Sequence, residues 1–331
     1  MRMRARVLTP FAIAAVLATA ACGESGSSGN GSGGSDGGQA SGSTCAPIAD
    51  DQLVVMEDDK ELQAVDNIIP ALETSYAEAN PTALDALNTV SDVLTTEDLV
   101  AMNSGVDIER QSAEDVAAAY VADNDLGSDA TPGTGTVRVG AAGFTESQIL
   151  ANVYADTLNA AGYTATVQTV GQREAYLPAL EGGEFDVFPE YVGTLTEYLD
   201  GNPDEAVASA DLDATVEVLR PLGDAVGLTF GEPAEAADEN AFAITTTLQD
   251  ELGGITTLSE LAEACSDGSL VLGGTPECPT RPFCQPGLEE TYGFTFSQVN
   301  DYDLGAPTNQ ALIQGEISLA LALSTDPVFA Q

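Results

Sequence analysis

Two short segments hold the side chains best placed to grip a small molecule, Tyr191-Val-Gly-Thr194 and Ser324-Thr-Asp326. Each follows the same kind of stretch. Residues 179–190 read as a helix end, a Gly-Glu turn and a buried strand, and residues 311–322 repeat that order. In open α/β sheets ligands sit outside the carboxyl ends of strands, so both segments are placed to face one cleft. Helix–turn–strand units are common, and an accidental echo is the plain alternative. Catalytic chemistry has little to work with. The chain has no histidine, no Cys-x-x-Cys pair or other metal-ligand spacing, and no nucleophile elbow in the part that folds. Clustered acids such as Asp58 and Asp59 read as a solvated turn. The expectation is binding without a metal or a cofactor.

The N-terminus sets the compartment. Arg2, Arg4 and Arg6 precede an apolar run over residues 7–18, too short to span a bilayer, and Leu17-Ala-Thr-Ala-Ala-Cys22 follows. Residues 1–21 thus read as a secretory signal ending in a lipobox-like site, with Cys22 the acylated residue. An ordinary signal-peptidase site with a chance cysteine is the other reading. Residues 22–46 are mostly Gly and Ser, a flexible tether. A diacylated cysteine supplies the two chains that stable anchoring needs, which places the protein on the extracytoplasmic face of the cell membrane.

Charge narrows the partners. The chain carries 53 acidic against 9 basic residues, and losing three arginines with the signal takes the formal net charge from −44 to −47. Such a surface repels phosphate backbones, so nucleic acid is excluded as a partner. It favours cationic or zwitterionic solutes. Four cysteines remain after Cys22, and four allow three connectivities. Cys278 and Cys284 flank a short Pro-rich loop, so local pairing is the choice made here, which leaves Cys45 with Cys265. Free buried thiols are the alternative.

About 285 residues follow the tether, enough for two lobes. The Gly/Pro/Ser stretch over residues 127–135 divides them. Before it the pattern is helical, over 81–94 and from Thr96, with Ser112-Ala-Glu-Asp115 as a capping box ahead of a helix over 116–121. After it, strands and helices alternate. Strands are expected at 137–139, 164–170, 185–188, 240–246, 270–272 and 317–323. Helices are expected at 145–161, 175–180, 258–264 and 309–313. This alternation predicts parallel-rich sheets flanked by helices.

In combination the motifs resemble the quaternary-amine (glycine betaine, choline, carnitine) binding proteins of ABC importers. Gly140-Ala-Ala-Gly-Phe-Thr-Glu146 is similar to that family's first motif, G-S-K-x-F-T-E, and Pro189-Glu-Tyr-Val-Gly-Thr194 to its P-E-Y-T-G-T. Thr280-Arg-Pro282 resembles its R-P-D-G site, and Ser324-Thr-Asp326 its S-T-D. Leu53-Val-Val-Met-Glu-Asp-Asp-Lys60 resembles its closing block, yet here that block comes first. The resemblance implies an α/β, two-lobed periplasmic-binding-protein-like fold of type II, circularly permuted, with the ligand cleft between lobes. In that reading 47–127 is the permuted segment and belongs to lobe 1, 128–136 is a linker, 137–238 completes lobe 1, 239–325 forms lobe 2 and 326–331 is a tail.

The resemblance also implies a site. A quaternary ammonium donates no hydrogen bond and is held by aromatic faces, for which Tyr191 and Phe242 are the matching positions. A carboxylate wants Arg or hydroxyl donors, matched by Arg281 and Thr194. Phe144, Gln148 and Gln63 are weaker candidates for the cleft lining. Asp66 stands near where the family has tyrosine, and it either faces a cation or caps a helix. Ala142 and Leu323 replace a lysine and an aromatic, so the expected cage is about half-built. The implied partners are a small quaternary-amine or zwitterionic solute, an ABC permease and its ATPase subunits, for a monomeric receptor. A sensory or adhesive lipoprotein of the same fold is the rival reading.

Overall fold

The computed structural model describes residues 45–202 and 206–330. The signal, Cys22 and nearly all of the tether lie outside the described residues. Ten strands follow in chain order: β1 (Leu53–Met56), β2 (Ile68–Glu73), β3 (Thr136–Ala141), β4 (Thr164–Thr169), β5 (Val187–Tyr191), β6 (Leu228–Phe230), β7 (Asn240–Thr245), β8 (Leu270–Gly274), β9 (Phe296–Asp301) and β10 (Leu319–Leu323). They form two five-stranded sheets, ordered β4-β3-β5-β2-β6 and β9-β8-β10-β7-β1.

The two sheets are built alike. In each, three strands run parallel, a fourth is antiparallel to the third, and a fifth is antiparallel to the fourth. β5 and β10 hold the same third place, so the echo read from the sequence corresponds to equivalent strands. Both are buried throughout, as Val-Phe-Pro-Glu-Tyr and Leu-Ala-Leu-Ala-Leu. Strands covered on both faces need no alternation, which is why these read as unbroken runs.

Helices cover each sheet. Helix Thr145–Ala160 buries Ile149, Leu150, Val153, Tyr154 and Leu158 against the first sheet and against helix Ala113–Asp123. Ser112 caps the latter by accepting the Asp115 N–H at 3.0 Å. Thr95 with Asp98 and Thr257 with Glu260 form full capping boxes, each fixing where a helix starts. Cys45 is bonded to Cys265, and Cys278 to Cys284.

The segment 47–127 does not belong wholly to the first lobe. β1 pairs antiparallel with β7, Met56 opposite Phe242, and so completes the second sheet. From Ile68 onward the segment packs with the first sheet, where β2 lies between β5 and β6. A four-residue strand declares its faces but not its partner, so the sequence left this open. Three stretches carry the chain between lobes among the described residues. They are 57–67, 231–239 and the last described residues, whose turn Pro327–Ala330 packs on helix Thr96–Asp107.

Candidate functional site

β5 delivers its last residue, Tyr191, to the mouth of the first sheet, and helix Val192–Asp200 begins at once. That helix has no cap of its own. Asp66, from the first crossing stretch, supplies one: its Oδ1 accepts the N–H groups of Gly193 at 2.8 Å and Thr194 at 3.0 Å. The approach is close enough to demand glycine, since a Cβ at Gly193 would lie 2.3 Å from the Val65 carbonyl oxygen. Burial pushes the Asp66 carboxyl up to about 7, although the Thr194 and Gly193 donors and the Arg173 charge pull against it.

Between the sheet mouths lies a cavity of about 410 Å³, bordered by Arg173, Thr194, Tyr198, Asn240, Arg281 and Phe283 among others. That volume is in the ordinary range for small-molecule sites. It narrows inward to a space of about 60 Å³ lined by Asp66, Phe144, Tyr176, Tyr191, Asp238 and Leu323. Arg173, Thr194, Asn240, Thr275, Arg281 and Leu304 border both parts. Three aromatic rings meet there. Phe144 and Tyr191 are tilted with centroids 6.1 Å apart, and Tyr176 is held in place by stacking on Phe188 at 3.9 Å.

The positive charges at this site are already engaged. The Arg173 guanidinium is buried and donates to Glu190 Oε2 at 2.8 Å and to the Thr194 hydroxyl at 3.0 Å. Arg281, on the loop closed by the Cys278–Cys284 bond, donates to Glu174 Oε1 at 2.8 Å. Glu174 lies on helix Arg173–Glu181 of the first lobe, so this pair bridges the two lobes over the cavity. Three buried carboxyl groups stand near the same space. Besides Asp66, Asp238 faces the inner space, and Glu146 stands behind Tyr191, accepting its hydroxyl at 2.9 Å.

The residues expected from sequence divide clearly. Tyr191, Thr194, Phe144, Asp66 and Arg281 all border the cavity. Phe242 does not. It is 1 % exposed and packs in the second lobe's core with Met56 and Leu321. β7 runs opposite to β10, so its first residue, Asn240, lies at the mouth opposite Leu323, while Phe242 sits a step deeper. Gln148 lines a separate space of about 200 Å³ with Asp107, Asp303 and Asp326. Gln63 donates to the Phe283 carbonyl at 3.1 Å and borders another cavity. Asp66 caps helix Val192–Asp200, distant in sequence, not the helix that follows it. Ser324-Thr-Asp326 turns into the crossing stretches: Thr325 donates to Glu146 at 2.6 Å, and Asp326 accepts from Asn309 at 2.8 Å.

Arg173, Tyr176, Asp238 and Asn240 were not singled out from sequence. Arg173 had a usable signal, being one of only five arginines beyond the N-terminal basic run.

The family described as the substrate binding domain of ABC-type glycine betaine transport systems matches residues 43–123 and 135–331. The chain belongs to this family. A glycine-betaine-binding protein of Pseudomonas aeruginosa is 29% identical over 180 residues, 51% of this chain and 56% of that protein. The chain thus spans little more than half of that relative's length. A crystal structure described as a glycine betaine/carnitine/choline ABC transporter is 21% identical, covering 59% of this chain and 71% of that one, with a TM-score of 0.38. Apo YehZ from Escherichia coli is 21% identical over 59% of this chain and 70% of that one, with a TM-score of 0.39. A substrate-binding domain agrees with a cavity bordered by both sheets.

Proposed function

We propose that this protein captures a small quaternary-ammonium solute between its lobes and hands it to an ABC permease. The observation that carries the reading is the inner cavity, where Tyr191, Phe144 and Tyr176 gather, with Glu146 behind Tyr191. Aromatic faces with nearby negative charge suit a cation that cannot donate hydrogen bonds. The lobes close on the ligand by hinge motion at the crossing stretches, and the Arg281–Glu174 pair latches them. That pair is a third to two-fifths exposed, so it opens at small cost.

In this reading Cys22 carries a lipid anchor, the tether spaces the domain from the membrane, and the receptor works as an extracytoplasmic monomer. No helix among the described residues is long and apolar enough to cross a membrane. The family match breaks between 123 and 135, at the Gly/Pro-rich joint, which supports a circular permutation sealed there. Close termini make such rearrangement tolerable.

A thermal-shift screen tests the ligand class. Betaines, choline, carnitine, proline and common amino acids would be compared on the mature protein. A ligand at about a hundredfold excess over its Kd stabilises the native state by about 2.7 kcal/mol, enough to raise the melting temperature by several degrees. At least one quaternary amine should do so. A shift with amino acids alone would reassign the cavity.

A further inference from the structure

Beneath the inner cavity Glu146, Asp238 and Tyr191 form one hydrogen-bonded set. Glu146 and Asp238 are 2 % and 3 % exposed. Glu146 Oε1 accepts the Tyr191 hydroxyl at 2.9 Å, and Oε2 accepts Thr325 Oγ1 at 2.6 Å and Asn103 Nδ2 at 2.8 Å. Asp238 Oδ1 takes the Thr325 N–H at 3.2 Å and the Ser324 hydroxyl at 3.4 Å, while Oδ2 has no protein donor. Thr325 bridges the two carboxyl groups, giving its N–H to Asp238 and its hydroxyl to Glu146.

Two buried carboxyl groups bridged by one threonine repel each other when both are ionised, so one keeps a proton. Three donors converge on Glu146, which marks it as the ionised member. Asp238 keeps the proton, and its Oδ2, which no protein donor reaches, is the oxygen that carries it. Burial and the neighbouring Glu146 charge hold the Asp238 carboxyl well above its usual range; burial raises Glu146 too, against its donors. The set therefore holds one buried negative charge. None of the four ion pairs among the described residues includes it, and the cations of the cavity wall, Arg173 and Arg281, are engaged by Glu190, Thr194 and Glu174.

We propose that Glu146 is a positioning residue for cation recognition: with its proton-bearing partner Asp238 it supplies, through the Tyr191 hydroxyl, the counter-charge that makes the cavity choose a cation over a neutral molecule of the same shape. The inference rests on the reading that this cavity takes a quaternary ammonium. A phenol donating to a carboxylate makes a charge-assisted bond, and the ring it belongs to becomes a more negative platform for a cation. The fixed charge also attracts the ligand directly, with little water between to screen it.

The test compares choline with 3,3-dimethyl-1-butanol, in which carbon replaces the charged nitrogen, by calorimetry on the mature protein. The ratio of the two dissociation constants reads the contribution of charge, which a loss of fold or shape does not mimic. Wild type should favour choline strongly. Glu146→Gln should lower the ratio about tenfold, the scale of one charge at moderate screening. Asp238→Asn, at the cavity wall, should lower the ratio less than Glu146→Gln does, because the charge sits on Glu146. Tyr191→Phe keeps the ring but cuts the link, so the ratio should fall several-fold, and this variant decides the matter if Glu146→Gln does not fold. An unchanged ratio in folded Glu146→Gln overturns the proposal. So does a larger fall in Asp238→Asn than in Glu146→Gln, which would put the charge on Asp238. If wild type binds both probes equally, the cavity is real but the charge role is wrong; if it binds neither, the cavity reading falls first and the proposal with it.

Discussion

Replacing Arg173 with methionine is expected to destabilise the protein by about 3–5 kcal/mol, the cost of stranding one member of a buried ion pair. Glu190 is fully buried, and Arg173 supplies the one ion pair it makes among the described residues. The same guanidinium also holds Thr194, so the loss should loosen the start of helix Val192–Asp200 at the cavity wall. Chemical denaturation would show a lower midpoint at an unchanged slope. Replacing both partners, as Arg173→Met with Glu190→Gln, should recover part of the loss, since no buried charge is left behind. A single-variant loss below about 1 kcal/mol would mean that Glu190 is reached by water and that the pair is not a structural element of the site.

The second large effect concerns the disulfides. Cys45 and Cys265 are 220 residues apart, whereas Cys278 and Cys284 are separated by 6. Cross-linking removes more freedom from the unfolded chain as the closed loop lengthens, so Cys45→Ala with Cys265→Ala should cost about 2–4 kcal/mol. The short-loop pair should cost less in global stability. Its loss should instead free the loop that aims Arg281 at Glu174. Equilibrium unfolding of both double variants, beside the oxidised parent, gives the comparison. A larger global loss from the short loop would show that it carries packing that the loop-entropy argument omits.

Much of the architecture was legible because it rests on periodicity and punctuation. Helix Leu258–Ala264 lies where its pattern put it, while of the capping box expected at Ser112–Asp115 only the Ser112 half is formed. β5 runs three residues beyond the expected end, to Tyr191, because Pro189 and Glu190 still sit in the ladder opposite β2. Pairing with a distant strand cannot be read from a local run, and the same limit hid the partner of β1. At the site, Tyr191 and Thr194 were reachable because they follow a buried strand directly. Phe242 misled because an aromatic residue in a strand does not say which end of the strand meets the cavity. Arg173 went unnoticed because its partners, Glu190 and Thr194, are 17 and 21 residues away and converge only in the fold. The bridge from Thr325 to Glu146 and Asp238 joins residues 179 and 87 positions apart, which no spacing announces.

The claim that this cavity holds a quaternary ammonium against aromatic faces is tested most directly by titrating choline and glycine betaine into wild type and Tyr191→Ala in a calorimeter. The account predicts saturable binding of at least one of them by wild type, weakened in the folded variant by about 1–2 kcal/mol, the scale of a desolvated cation–π contact. Undiminished affinity in a folded Tyr191→Ala protein, or no saturable binding of either ligand by wild type, would contradict it.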